Sequence, residues 1–305
     1  MTAAQSYAVI TPVLNERENL GRLAAALKAQ TVPPRLWLIV DTGSDDGSLD
    51  MIHALVEDVS WVRSTTLDPG RARGGPIVRA FNAGSAEVPD DVEVIVKLDA
   101  DVSFDADYFG RLLASFAEDP RLGIASGTCL EEQGGVWLER RVTADHVWGA
   151  CRAYRAACLH DVSPLEERMG WDGIDVLKAN ARGWRTGIVP GLAFRHHRGE
   201  GSRDGGRAAP WLARGRAAQY MGYRPSFLLF RACHHALDDP MALMMIVGWL
   251  KPVLRREPAC DDPVARAYLR RQQRLRELPL RLTEARGEEW ISRTRALLGR
   301  GSGRR

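Results

Sequence analysis

Residues 92–101 read VEVIVKLDAD. The apolar run from Val92 to Leu98, interrupted by Glu93 and Lys97, has the length and β-branched content of a buried strand, and it stops at Asp99-Ala100-Asp101. In a parallel sheet, the turn after such a strand sets both carboxylates at the carboxyl edge, where open α/β folds bind ligands. Carboxylate oxygens suit a hard cation, Mg2+ or Mn2+, that bridges phosphates. A lone Asp-x-Asp is also an ordinary turn or helix cap, so its meaning depends on its company.

The segments upstream alternate strand and helix. Residues 7–13 and 36–40 read as strands, 18–30 and 48–57 as amphipathic helices. A βαβα start predicts a parallel, doubly wound sheet. Residues 75–86 then read as a helix, 92–98 as the strand above, and 108–118 as a helix stopped by Asp119-Pro120. The strand ends at 11–16 and 41–47 are polar loops that open helices. They offer backbone N–H groups and carboxylates to a nucleotide. Taken singly, Asn15 and Ser48 are also ordinary caps and Asp45-Asp46-Gly47 an ordinary turn.

Composition sets the bounds. With 305 residues, 45% hydrophobic and 27% charged, the chain is a soluble globular type. Its start, MTAAQSYAVITPVLNE, carries neither a basic n-region nor a long apolar h-region, so a cytoplasmic location is expected, with the cytoplasmic membrane face as the alternative. Five irregularly spaced cysteines (Cys129, Cys151, Cys158, Cys233 and Cys260) argue against a disulfide framework. The net charge of +3 hides an asymmetry: from Arg195 onward there are 23 Lys plus Arg against 11 Asp plus Glu, so the preceding part is acidic. The acidic part fits a metal site and the basic part a phosphate-rich surface or a plain solvated one. No nucleic-acid partner is expected.

Together the motifs resemble the family 2 glycosyltransferases of GT-A fold. ITPVLNERENL (10–20) stands where the family has a strand and P-x-x-N-E, and LIVDTGSDDGS (38–48) where it has V-D-x-G-S-x-D-G. Arg79-Ala80-Phe81-Asn82-Ala83-Gly84 matches a basic residue ahead of N-x-G, and Asp99-Ala100-Asp101 follows. Gly170-Trp171-Asp172-Gly173-Ile174-Asp175, with LKANARGWRT (177–186), is similar to the acidic base motif and the helix after it. His196, following Val189-Pro190, is similar to a late metal-site histidine. The resemblance spans about residues 7–197. One departure stands out: the family commonly has Glu-Asp where this chain has Trp171-Asp172.

The resemblance implies an α/β, GT-A-type doubly wound, mostly parallel central sheet with helices on both faces, plus an α-helical C-terminal extension. Residues 1–215 would form the catalytic domain (1–101 the nucleotide-binding half, 102–215 the acceptor half) and 216–305 a helical basic extension. It further implies an inverting, metal-dependent transfer of sugar from a nucleotide-diphospho-sugar donor. Asp172 would be the base, with Asp175 as a rival should the alignment slip by three residues. Asp101 and His196 would be metal ligands for Mg2+ or Mn2+. Thr11, Pro12, Asn15, Glu16, Asp41, Arg73, Arg79 and Asp99 would be donor contacts, and Trp148, Trp171, Arg198 and Arg203 acceptor or lid residues. The glycine-rich basic stretch 196–207 reads as a lid over the diphosphate or as a plain linker. The acceptor stays open among a cell-surface glycan, a lipid-linked glycan and a small molecule. A catalytically silent sugar-nucleotide-binding scaffold is the alternative from another class. A dinucleotide dehydrogenase would need Gly-x-Gly-x-x-Gly after the first strand, and a nucleotidyltransferase a lysine-bearing glycine loop; Asn15-Glu16 stands there instead.

In the extension, a helix opened by Pro225 and an apolar one opened by Pro240 and reaching Leu250 end against Lys251, Arg255 and Arg256. Such segments lie in a membrane interface as peripheral anchors or pack as core helices. An arginine-rich helix capped by Asp262-Pro263 is expected to run to about Leu278.

Overall fold

The computed structural model describes residues 6–68, 75–140, 147–198 and 208–274. Chain contacts divide it into two compact units, Met1–Asp204 and Gly205–Arg305.

In the first unit the elements run β1 (Tyr7–Val13), α1 (Arg17–Lys28), β2 (Leu36–Asp41), α2 (Ser48–Asp58), β3 (Val62–Thr66), α3 (Gly75–Ser85), β4 (Val94–Leu98), β5 (Val102–Phe104) and α4 (Tyr108–Glu118). They continue as β6 (Leu122–Gln133), β7 (Val136–Glu139), β8 (Cys151–Arg155), α5 (Ala156–Val162), α6 (Trp171–Ala181) and β9 (Arg185–His196). The strands order as β3-β2-β1-β4-β8-β6-β9-β5, with β7 beside β6. Pairings among β3, β2, β1 and β4 are parallel, as the alternating start predicts; β8 then adds antiparallel to β4. The chain leaves β1 toward β2 and returns on its other side at β4. The crevice between the ends of β1 and β4 is therefore a topological switch point, where such sheets bind ligands.

Period-2 alternation sorts the strands onto two buried faces. Tyr7, Val9 and Val13 of β1 and Val94, Val96 and Leu98 of β4 face α1 and α4 in one core; Ala8, Ile10 and Ile95 face α3 and α5 in the other. Lys97 falls on the second face, 2% exposed. A cation buried at that depth requires a partner.

In the second unit the elements are α7 (Ala209–Tyr220), α8 (Pro225–Ala236), a 3-10 turn at Pro240–Leu243, α9 (Met244–Leu254) and α10 (Pro263–Gln272). The boundary expected after residue 215 would cut α7. The segment expected as one helix from Pro240 begins as the 3-10 turn, with the Asp239 side chain accepting from the Met241 N–H, before α9 takes over. Asp262 caps α10 by accepting from the Ala265 N–H; the expected end near Leu278 lies outside the described residues. A core of Ala218, Leu228, Ala232 and Met245 holds the helices together.

Candidate active site

The loop after β1 bends because Asn15 adopts φ 57°, a left-handed conformation that Asn tolerates better than most residues. It is pinned to the loop after β2. The Asn15 amide donates to Asp45 Oδ1 and its Oδ1 accepts from the Asp45 N–H, both at 2.9 Å. The Asn15 and Glu16 N–H groups donate to the Ser44 and Ser48 hydroxyls at 3.0 Å. Asp41 accepts from the Gly43 and Ser44 N–H groups and is 1% exposed. Much of the polar content of these two motifs thus shapes the loops themselves. Thr11 is fully buried, and its hydroxyl accepts from the Trp37 indole at 2.9 Å. Thr11 as a donor contact is thereby corrected: it is a buried residue within the β1–β2 pairing.

Asp101 lies where β4 turns into β5. β5 pairs antiparallel with β9, setting Val102 opposite His196, and the His197 N–H donates to the Asp101 carbonyl at 2.8 Å. This pairing across some ninety-five residues brings the histidine to the carboxylate. His196 Nε2 stands 3.4 Å from Asp101 Oδ1, an ion-pair distance without hydrogen-bond alignment, and that buried oxygen has no hydrogen-bond partner. On its far side His196 Nδ1 is 3.7 Å from Glu131 Oε1. Cys129, Glu131 and His196 offer ligand atoms within 4.8 Å of one another. Arg198 forms a two-bond pair with Glu16 (2.9 and 2.8 Å), and its Nε lies 3.7 Å from Asp101 Oδ2. The loops after β1, β4 and β9 therefore meet at one cluster.

Electrostatics follow from burial and charge. Burial alone would raise Asp101, but His196 and Arg198 outweigh it and hold the carboxyl below its ordinary range. Burial would lower His196; its contacts with Asp101 and Cys129 overcome that and raise it to about 10. Asp99 is pushed up, first by burial and also by Asp101, despite the Lys97 ammonium that bonds it. An orphaned carboxylate oxygen facing an imidazole nitrogen is a donor pair that fits a divalent cation.

A second cluster adjoins the first. Register sets Lys97 of β4 directly opposite Arg152 of β8. Like charges so placed repel, and each needs compensation. Lys97 donates to Asp99 and to the Gly149 carbonyl. Arg152, fully buried, makes a fork on Asp175 (3.0 and 2.8 Å) and donates to the carbonyl of Asp172 at 2.6 Å. The Trp171 ring lies 5.5 Å from Lys97 Nζ and 5.4 Å from the Arg152 guanidinium, so the indole faces both cations. Asp175 is 2% exposed and also accepts from the Tyr154 hydroxyl. Asp172, half-buried in the first turn of α6, stands above Gly149, to which Lys97 is bonded. The structure thus separates the two candidate bases: Asp175 is locked in an ion pair, whereas Asp172 shares the Gly149–Lys97–Asp99 corner with the first cluster.

A scan against protein families matches residues 8–162 to the model described as glycosyl transferase family 2. The chain belongs to glycosyl transferase family 2. An undecaprenyl-phosphate 4-deoxy-4-formamido-L-arabinose transferase from Serratia proteamaculans (strain 568) is 32% identical to it over 114 residues, 36% of this chain. The chain spans about a third of that relative's length (33%). Among solved structures, a mannosyltransferase from Pyrobaculum calidifontis in complex with GDP-Man and Mn2+ superposes with TM-score 0.58 at 16% identity, covering 93% of this chain and 85% of that one. S. aureus TarS 1-349 in complex with UDP-GlcNAc gives 0.54 at 16% identity, covering 72% of this chain and 67% of that one. These likenesses show the GT-A fold.

The remaining expected residues are dispersed. Arg79 pairs with Glu167 at 2.9 Å, half-exposed on α3. Trp148 is 5% exposed and sits in the first core with Arg140 over its ring, so as an acceptor platform it is corrected to a buried wall. Pro12 lies within β1. Arg73, Arg203 and most of the expected lid lie outside the described residues. Sequence reasoning missed Arg152, Tyr154 and Glu131. The lone Lys97 inside an apolar strand signalled that a buried counter-charge existed, but not which residue carried it.

Proposed function

We propose that this chain is an inverting, divalent-metal-dependent glycosyltransferase that moves a sugar from a nucleoside-diphospho-sugar to a hydroxyl of a lipid-linked or cell-surface glycan acceptor at the cytoplasmic membrane face. The observation that carries the reading is the orphaned Asp101 Oδ1 facing His196 Nε2 at the switch point of a family 2 domain. Catalysis is assigned to the first unit. The similar structures with GDP-Man and UDP-GlcNAc support a nucleotide-sugar donor, and the relative named for undecaprenyl-phosphate supports a lipid-borne acceptor.

The crevice between the β1 and β4 loops receives the nucleotide, and Asp99, held by Lys97, faces its ribose side. Asp101 and His196 would hold the cation, whose charge, when bound, offsets that developing on the departing diphosphate. Arg198, anchored on Glu16, adds positive charge at the same point. Asp172 accepts the acceptor hydroxyl's proton as that oxygen attacks the anomeric carbon from the face opposite the diphosphate. One base and in-line displacement give inversion. Arg152, through the Asp172 carbonyl, holds the start of α6 so that the carboxylate stays aimed.

Calorimetric titration with UDP, GDP, dTDP and CDP, each with Mn2+ and with EDTA, tests this beside Asp101→Ala. One nucleotide binding only with metal, and lost in the variant, supports the reading. Binding that ignores both metal and Asp101, or no binding, sinks it.

A further inference from the structure

α9 reads MMIVGWLKPVL. Its buried positions, Met245, Gly248 and Pro252, recur at helical spacing and form the side set on α7, where a Cβ on Gly248 would stand 2.2 Å from the Leu212 carbonyl oxygen. The opposite side repeats Val247, Leu250 and Leu254, in line with Leu243 at the end of the preceding 3-10 turn, at intervals of four, three and four from Leu243, exposed by 46% (Leu243), 46%, 44% and 74%. A surface helix of a soluble domain carries polar residues on that side. α8 does likewise: Leu228 and Ala232 are buried, while Leu229, Phe230 and, just past its end, Leu237 are exposed by 53%, 37% and 85%. Apolar side chains grouped this way mark a contact surface.

Charge selects the partner. From Met241 to Arg256 there is no acidic residue, and exposed Lys251, Arg255 and Arg256 border the stripe. A second copy would bring its own three cations into the same contact. An anionic bilayer instead answers both features, taking aliphatic side chains at the acyl boundary and basic ones on headgroup phosphates. Among the described residues no helix is long and apolar enough to cross a membrane, so the contact lies along the surface.

We propose that the exposed faces of α8 and α9 form a docking surface for a bilayer bearing anionic headgroups, with Leu243, Val247, Leu250 and Leu254 inserted and Lys251, Arg255 and Arg256 on the phosphates. This deepens the lipid-linked acceptor reading and rests on it for its purpose, but its test uses neither donor nor acceptor.

The full chain is sedimented with vesicles of phosphatidylcholine alone and of phosphatidylcholine mixed with phosphatidylglycerol. Wild type is expected to pellet with the mixed vesicles and to be released by salt. Leu250→Gln combined with Leu254→Gln is expected to weaken vesicle affinity roughly tenfold or more, because two exposed leucines leave the acyl boundary while the fold keeps its core. Lys251→Gln with Arg255→Gln and Arg256→Gln is expected to do the same through the lost phosphate contacts. An unchanged thermal melt shows that each variant is folded; Val247→Gln replaces a variant that melts early. Wild type remaining in the supernatant with both vesicles overturns the proposal, as do variants that pellet like wild type. A dimer that the leucine variant dissolves, without vesicle binding, overturns it in favour of self-association. Nucleotide binding without vesicle binding sinks this proposal and spares the donor reading; the converse result does the reverse.

Discussion

At the scale of single residues, Asp172 and Asp175 are three apart on one helix turn, yet their surroundings differ. Asp175→Asn strips the counter-charge from a fully buried arginine and is expected to cost about 3–5 kcal/mol of stability, read as a lowered midpoint in denaturant. Asp172→Asn leaves the Arg152–Asp175 pair in place and is expected to stay within about 0.5 kcal/mol of wild type while losing turnover by roughly 10² to 10⁴; normal turnover in that variant would remove Asp172 as the base. His196 supplies a pH prediction. In the metal-free protein its imidazole keeps its proton up to about 10, so binding a cation through it expels that proton. Mn2+ affinity is expected to rise with pH between 6.5 and 8.5 by at most about tenfold per unit, with proton release seen as a buffer-dependent heat in calorimetry. Metal uptake insensitive to pH would argue against His196 as a ligand.

At the scale of elements, pairing rather than propensity assembles the site. β5 is three residues long and β9 begins some eighty residues later, yet their antiparallel pairing, with β6 on the other side of β9, sets His196 beside Asp101. Likewise the β4–β8 register opposes Lys97 and Arg152, and α6 answers with Trp171 over both. In the second unit, α7 and α9 approach through glycines. A Cβ on Gly215 would stand 2.1 Å from the Met245 carbonyl oxygen, a backbone atom that cannot yield cheaply. Gly215→Ala and Gly248→Ala are each expected to destabilise the second unit by about 1–3 kcal/mol or more, measured by thermal melting. Alanine tolerated at both positions would mean that these helices do not meet so closely.

At the scale of the whole molecule, four of the five cysteines are buried and Cys233 alone is exposed. Burial pushes the Cys151 and Cys158 thiols up to about 12. The native protein is expected to react with one equivalent of a thiol reagent at pH 8 and with five when unfolded; a second fast thiol would expose a loosened core. The elements through residue 118 other than β3 and β5, the parallel start and the Asp99–Asp101 edge could be read from the chain. Hydrophobic period, caps and turn residues are local signals, and a β-strand or helix long enough to repeat them declares itself. The edge strands β3 and β7 declared themselves less, since Val62–Thr66 is largely exposed and carries little apolar alternation. Sequence alone thus determined the fold family and the motif residues, because those depend on short-range spacing. Only the tertiary structure decided which aspartate is held in an ion pair, which threonine is buried, that Arg152 bonds the Asp172 carbonyl and Glu131 lies beside His196, and that the apolar faces of α8 and α9 point outward. Those are facts about which side chains meet across long separations, and burial of charge makes such meetings decisive without leaving a mark on neighbouring residues.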